Sequence, residues 1–200
     1  AGQGGLDRQE PLPGGGPVLV VANHVAFIDP ALVAIALFPR RSWGLGKEEL
    51  ARNPVARFWL IRSGMIPLRR ASADFAAMRT ARRLLREGEW IVLFPEGQVT
   101  RSGMMRPGFP GAGFLALAPG VTVVPAAVAN GRQRGQRNTV LFGPPVPLDD
   151  LRAAPGRAAT RVATERMMAA IAAMLPAVGG PAQDGPVGVA ALGGDPAGEA

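Results

Sequence analysis

The sequence predicts a single α/β domain with a central, mostly parallel or mixed sheet flanked by helices. Three observations carry this reading. Short β-branched runs, among them Val18–Ala22, Trp90–Phe94 and Val121–Val128, alternate with segments of helical periodicity. Those runs are apolar on both faces, as strands inside a parallel sheet are, with helices covering each side. Two hundred residues, 48% hydrophobic and 18% charged, suit one core rather than two.

Residues 1–16 are rich in Gly and Pro and read as a flexible lead-in to a domain spanning 17–176. Pro17–Ala22 is the first strand. Asp29-Pro30 is a helix-start signature, with Asp as N-cap and Pro in the first turn, and the helix runs to about Phe38 before Pro39. Ser42–Gly46 reads as a short strand and turn, Lys47–Ala51 as one helical turn, and Asn53-Pro54 as the start of a helix reaching Arg62. In that helix Phe58, Trp59 and Ile61 alternate with Arg57 and Arg62, a basic amphipathic surface. Gly64 suits a stop, and Met65–Leu68 a short strand. Ser72 caps a helix over Ala73–Glu87, with Phe75, Met78 and Leu85 facing the core and Arg79, Arg83 and Arg86 on another side. After Trp90–Phe94 comes a glycine-rich loop, Ser102–Gly113, and a short helix, Phe114–Ala118. Val121–Val128 and Thr139–Phe142 are strands. Gly156–Leu175 is the last helix, with Val162, Met167, Met168, Ile171 and Leu175 as core candidates. From Ala177 the chain is mostly Gly, Pro and Ala, and disorder is expected over 177–200.

Composition excludes several classes of chemistry. There is no cysteine, hence no disulfide and no thiolate nucleophile, and with a single histidine the sequence predicts no metal site. The net charge of +7 suits an anionic membrane, a phosphorylated small molecule or nucleic acid. Two apolar stretches, 17–38 and 107–130, are interrupted by polar residues or by glycines and prolines. They read as buried core rather than membrane spans, so membrane contact is expected to be peripheral. No secretory signal is visible at the amino end.

The sole histidine, His24, sits just beyond the first strand, five residues before Asp29. Histidine is the side chain that exchanges a proton near neutral pH, and a carboxylate beside it fixes its tautomer and stabilises its protonated form. A strand end leading into a helix start is where α/β folds place their chemistry. On a regular helix of ~3.6 residues per turn, His24 and Asp29 would point about 140° apart. Their pairing therefore requires Asn23–Ile28 to form a turn before the helix begins.

Four blocks line up, each beside a predicted strand: Asn23-His24-Val-Ala-Phe-Ile-Asp29, Gly64-Met-Ile-Pro-Leu-Arg69-Arg70, Phe94-Pro-Glu96-Gly97 and Val123-Val124-Pro125. In order and spacing they resemble the blocks of the glycerolipid acyltransferase family, which includes 1-acylglycerol-3-phosphate acyltransferases. The resemblance covers about residues 17–147. It implies transfer of a fatty acyl chain from acyl-CoA or acyl-carrier protein to the hydroxyl of a lysophospholipid, with no cofactor and a peripheral location on the cytoplasmic face of the membrane. By the same carry-over His24 is the general base and Asp29 its orienting partner. Asn23, Gly64, Arg70, Glu96, Gly97 and Arg101 are the substrate-binding positions, Arg70 on the acceptor's phosphate. The chain departs from the family where Val99 stands in place of an arginine, a phosphate role that Arg101 is then expected to take. Phe94-Pro-Glu-Gly-Gln-Val-Thr100 and Gly111-Ala-Gly-Phe114 resemble the lysophosphatidylethanolamine branch, and Arg69 stands where many members have Asp.

A general base activates an alcohol, a poor nucleophile at neutral pH, by about 10²–10⁴ in rate. The thioester is already activated, and the sequence holds no Gly-x-Ser-x-Gly elbow, so direct attack is expected rather than an acyl-enzyme. Fixed N–H donors near Gly97 are expected to hold the oxyanion. Plainer readings stand beside these: Asp29 as a helix cap, Glu96 as a structural acid bonded to backbone N–H groups, and the Arg79 face as solvated surface. A basic nucleic-acid-binding module is the non-enzyme alternative. It explains the charge but not His24, Asp29 or the Phe-Pro-Glu-Gly block, and no nucleic-acid partner is expected.

Overall fold

The computed structural model describes residues 12–47, 64–68, 75–100, 102–129, 138–183 and 185–190. Lys47, expected to open a helical turn, ends a strand instead, while the rest of that turn, 48–51, the helix expected at 53–62, and Arg70, Ser72 and Arg101 lie outside the described residues.

Six strands, β1 (Val18–Ala22), β2 (Ser42–Lys47), β3 (Met65–Leu68), β4 (Trp90–Leu93), β5 (Thr122–Ala129) and β6 (Thr139–Phe142), form one sheet. The order is β3-β2-β4-β1-β5-β6, parallel throughout except for β6, which runs antiparallel to β5. The sheet is thus mixed and mostly parallel. Among the described residues five helices accompany it: α1 (Asp29–Leu37), α2 (Phe75–Arg86), α3 (Gly111–Ala116), α4 (Asp149–Ala153) and α5 (Arg157–Met174), the last running into a 3₁₀ turn at Leu175–Val178.

The strands are buried on both sides, and alternate residues feed two cores. Leu19, Val21, Ile91, Leu93 and Val123 pack with Ala77, Ala81, Leu84 and Leu85 of α2, with Ala112 and Leu115 of α3, and with Met167 and Ile171 of α5. Val18, Val20, Ala22, Val92, Val124 and Phe142 face the other way, where Val33, Ala36 and Leu37 of α1 cover them. Three helices thus cover one face, and α1 the other.

Pro125 sits inside β5 without breaking it. Its carbonyl accepts from Gly143 N–H at 2.9 Å on the β6 side, and the β6 ladder starts only at Ala126. A proline N–H is missing only where no ladder bond is needed.

Several expectations are corrected. Phe75 is 70% exposed, and Val162 is half-buried rather than core. Alanines share these buried faces with larger residues, Ala77 and Ala81 beside Leu84 and Leu85 in α2, and Ala159 and Ala163 beside Met167, Met168 and Ile171 in α5, so the large apolar residues alone misplace the stripe. Helix α3 begins at Gly111 rather than Phe114, Ser42–Lys47 is strand throughout, and α4 was not anticipated. The tail is laid down rather than loose over its described part. Gly108 pairs with Val189 in a parallel bridge, and Gln183 Oε1 accepts from Met105 N–H at 2.7 Å. Within the lead-in, Leu12 packs on the α1 side of the core, and Gly14 O accepts from Arg40 at 2.8 Å.

Candidate active site

The candidate site lies at the carboxyl ends of β1 and β4. These strands are neighbours, and their last paired row is Val21 with Leu93. His24 and Glu96 each lie three residues beyond that row. From β1 the chain crosses to β2 on one side of β4, and from β4 it crosses to β5 on the other side of β1. Connections leaving in opposite directions open a crevice at the strand ends, where open α/β sheets bind ligands.

The turn required by the His24–Asp29 spacing is present. Residues 23–28 leave the strand, Asp29 N–H closes on Ala26 O at 3.1 Å, and the helix starts at Asp29. Asp29 is the first helical residue rather than the N-cap, which is Ile28, so its side chain is turned back to the preceding loop. Asp29 Oδ2 accepts from Val25 N–H and Ala26 N–H, each at 2.7 Å, and lies 3.0 Å from His24 Nδ1. An ionised carboxylate only accepts, so Nδ1 carries the proton and Nε2 keeps its lone pair. The carboxylate is fully buried and the imidazole 15% exposed. Phe94 stacks against the ring, with centroids 4.4 Å apart at 30°. Asp29 therefore holds the turn and the imidazole in one arrangement. Its side chain makes no helix-cap hydrogen bond, so the cap reading of Asp29 gives way to a bond across the preceding turn.

Glu96 is 2% exposed and links three segments. Its Oε1 accepts from His24 N–H at 3.1 Å; its Oε2 accepts from the Thr100 hydroxyl and from Arg106 N–H, both at 2.9 Å. Thr100 N–H in turn donates to His24 O at 2.6 Å. Burial pushes the Glu96 carboxyl above its ordinary value of 4.5, against the pull of those donors and of His24. Glu96 thus holds the His24 backbone and the loop after β4 in one arrangement, as the structural reading expects.

The other expected positions divide. Asn23 is buried at 1% exposure, with Nδ2 donating to Val128 O at 2.9 Å and Oδ1 accepting from Val128 N–H at 2.7 Å. Its amide ties the end of β1 to β5. Gly64, with φ +86, precedes β3 at the sheet edge, and a Cβ there would fall 2.7 Å from Ser42 O. Two strands, β2 and β4, lie between β3 and β1, which sets them three spacings of about 4.8 Å apart. Gly64 therefore shapes the sheet edge and does not join His24. Gly97 has φ +66, and a Cβ would meet Phe109 Cε2 at 2.9 Å, so this turn requires glycine. Its N–H donates to Phe94 O at 3.0 Å and is not free for an oxyanion. The N–H groups of Gln98 and Val99 make no hydrogen bond among the described residues.

Sequence reasoning missed Thr100, the ring contact of Phe94, and Arg106. Arg106 has an exposed side chain and makes no ion pair among the described residues, and its backbone is fastened to Glu96. No motif marks it, because only the return of the 102–110 loop brings it to this edge. Among the described residues there is no group of three or more His, Cys, Asp or Glu side chains able to hold a metal, and no helix long and apolar enough to cross a membrane.

A buried carboxylate lies against a part-exposed imidazole at the switch point of a mostly parallel sheet. Comparison with known proteins places the chain in a family. The acyltransferase family model matches residues 6–129, and the chain belongs to that family, the glycerolipid acyltransferases. It is 33% identical over 123 residues to the 1-acyl-sn-glycerol-3-phosphate acyltransferase of Borreliella burgdorferi, covering 60% of this chain and 49% of that protein. It is 35% identical over 115 residues to the lyso-ornithine lipid O-acyltransferase of Pseudomonas aeruginosa, covering 56% and 43%. The chain thus spans about half the length of these curated relatives. In fold it matches the 1-acyl-sn-glycerophosphate (LPA) acyltransferase PlsC of Thermotoga maritima, with TM-score 0.58 and 21% identity over 80% of this chain and 66% of that one.

Proposed function

We propose that the protein transfers a fatty acyl chain from an acyl thioester, acyl-CoA or acyl-carrier protein, to the free hydroxyl of a lysophospholipid. The favoured acceptor is 1-acylglycerol-3-phosphate, giving phosphatidic acid. The observation that carries this reading is His24 Nδ1 held 3.0 Å from buried Asp29, with Nε2 left as a proton acceptor. The names of the relatives supply the substrate class.

The acceptor hydroxyl approaches Nε2 and loses its proton there as its oxygen attacks the thioester carbonyl. The C–O bond forms, the carbonyl becomes an oxyanion, and His24 becomes an imidazolium facing Asp29. Collapse of this intermediate breaks the C–S bond, and the departing sulfur takes the proton from His24. Ester and free thiol result, and the base is restored. The unpartnered N–H groups of Gln98 and Val99 are the donors proposed for the oxyanion, in place of Gly97. Arg70 and Arg101 are proposed to hold the acceptor's phosphate, with Arg106 as a further cation at the same strand ends.

A second acceptor reading has its own support. Val99 replaces an arginine of the family pattern, and one relative is named for lyso-ornithine lipid. A lysolipid without a terminal phosphate, lysophosphatidylethanolamine among them, fits that change. Free-thiol release from acyl-CoA, measured across a panel of lysolipids, decides between them. Release is expected only when acceptor is present, and His24→Ala is expected to lower it by about 10²–10⁴ while the circular dichroism spectrum is retained. Full activity in His24→Ala would sink the assignment.

A further inference from the structure

The outer face of α1 is exposed, and no polar side chain lies on it. Six large hydrophobic residues are exposed among the described ones, and four of them belong to α1 or the turns at its ends: Phe27 at 74%, Ile28 at 49%, Ile35 at 63% and Phe38 at 75%. Ile28, Ala31 and Ile35 follow at helical spacing within about 60° of one another, and Phe38 extends the stripe past the last turn. The remaining exposed residues from 27 to 39 are Pro30, Ala34 and Pro39. On its inner face Val33, Ala36 and Leu37 pack on the sheet. A helix apolar all round belongs in a core or against lipid, and a contiguous exposed apolar patch marks an interaction site.

Two further features say what covers it. Phe27 and Ile28 lie inside the turn that joins His24 to Asp29, so one end of the patch is continuous with the base. At the other end the chain continues into Arg40 and Arg41, both exposed. Arg40 is held over the Trp90 ring at 5.8 Å and bonded to Gly14 O. Apolar side chains bordered by fixed cations match an anionic bilayer, where acyl chains lie beneath negative head groups.

We propose that the outer face of α1 is the surface by which this domain meets an anionic lipid bilayer. Phe27, Ile28, Ile35 and Phe38 enter the acyl boundary, and Arg40 and Arg41 meet the head groups. His24 then opens at the depth of the acceptor hydroxyl. The expected basic surface around Phe58 and Trp59 is a separate segment outside the described residues. The proposal rests on the lysophospholipid reading only for its purpose, and its test is independent of turnover.

The test is sedimentation of the protein with vesicles of mixed phosphatidylglycerol and phosphatidylcholine. Ile35→Glu adds a charge at an exposed position away from the base. It is expected to lower partition about tenfold or more, since an apolar side chain leaves lipid. Ile35→Ser, a milder change, is expected to lower it in the same direction. Arg41→Glu is expected to lower binding to these vesicles but not to pure phosphatidylcholine. Turnover of a short-chain, monomerically dissolved lysophospholipid is expected to be unchanged in Ile35→Glu, and turnover of a vesicle-borne acceptor to fall. Partition unchanged in both Ile35 variants overturns the proposal, as does a solution dimer that Ile35→Glu dissociates while vesicle binding persists. If no acceptor turns over yet partition responds to Ile35→Glu, the surface stands and the acyl-transfer reading fails.

Discussion

At the residue scale the site is two carboxylates doing different work. Asp29 gathers three N–H donors onto Oδ2, while its buried Oδ1 has no partner among the described residues. In Asp29→Asn the amide oxygen can keep the Oδ2 position, and the NH₂ takes the vacant side. Geometry is retained and the negative charge is lost, so kcat is expected to fall by about 10²–10⁴ with little change in acceptor KM. A raised KM with normal kcat would show that Asp29 serves binding instead. For Glu96, burial raises the pKa. The folded chain holds the Glu96 proton to higher pH than the unfolded chain does. Its contribution to stability is therefore full below 4.5 and is lost as pH rises through the folded value. Urea midpoints followed upward from pH 4.5 are expected to fall in the wild type relative to Glu96→Gln. Parallel curves would mean that the carboxyl titrates as an exposed one. His24, Asp29 and their turn were legible from spacing alone. The role of Glu96 was not, because its partners Thr100 and Arg106 are set by a loop path that no local pattern encodes.

At the element scale, close approach decides which residues matter. Helices α3 and α5 touch at Gly113, where a Cβ would lie 2.0 Å from Thr160 O and 2.7 Å from Thr164 Oγ1. Gly113 N–H donates to that same hydroxyl at 3.1 Å. In Gly113→Ala the helices must separate, at a cost of about 1–3 kcal/mol, read as a lowered urea midpoint. An unchanged midpoint would mean that the two helices are not in contact in solution. The β1–β5 tie is equally local. Asn23→Ala strands both polar groups of Val128 in a buried setting, at about 2–4 kcal/mol for the two. The strands were legible because five of six are short apolar runs between turn residues. The sixth, β2, reads Ser-Trp-Gly-Leu-Gly-Lys, and its glycines hid its length. Phe75 misled for the converse reason, since size alone does not locate a buried face that alanines share.

At the scale of the whole molecule, the tail is the feature that composition hides most completely. Gly108 N–H donates to Gly188 O at 3.1 Å and Gly108 O accepts from Ala190 N–H at 2.9 Å, while Gln183 holds Met105 N–H. The 102–110 loop thus has the tail on one side. On its other side it gives Arg106 N–H to Glu96 and lays Phe109 against Gly97. Glu96 holds His24, so the tail reaches His24 through three successive sets of hydrogen bonds. Deleting residues 181–200 leaves the sheet and both cores intact, because none of their members lies in that stretch. Amide exchange at Met105 and Gly108 is then expected to speed up while that of Val20 in β1 stays slow, and turnover is expected to fall further than the unfolding midpoint does. If the truncated chain kept full turnover despite faster exchange at Gly108, Glu96 would hold His24 without help from the loop, and the tail would be only a cover. A joint loss of exchange protection and turnover would show that the base is positioned by contacts reaching from β1 to the last described residues.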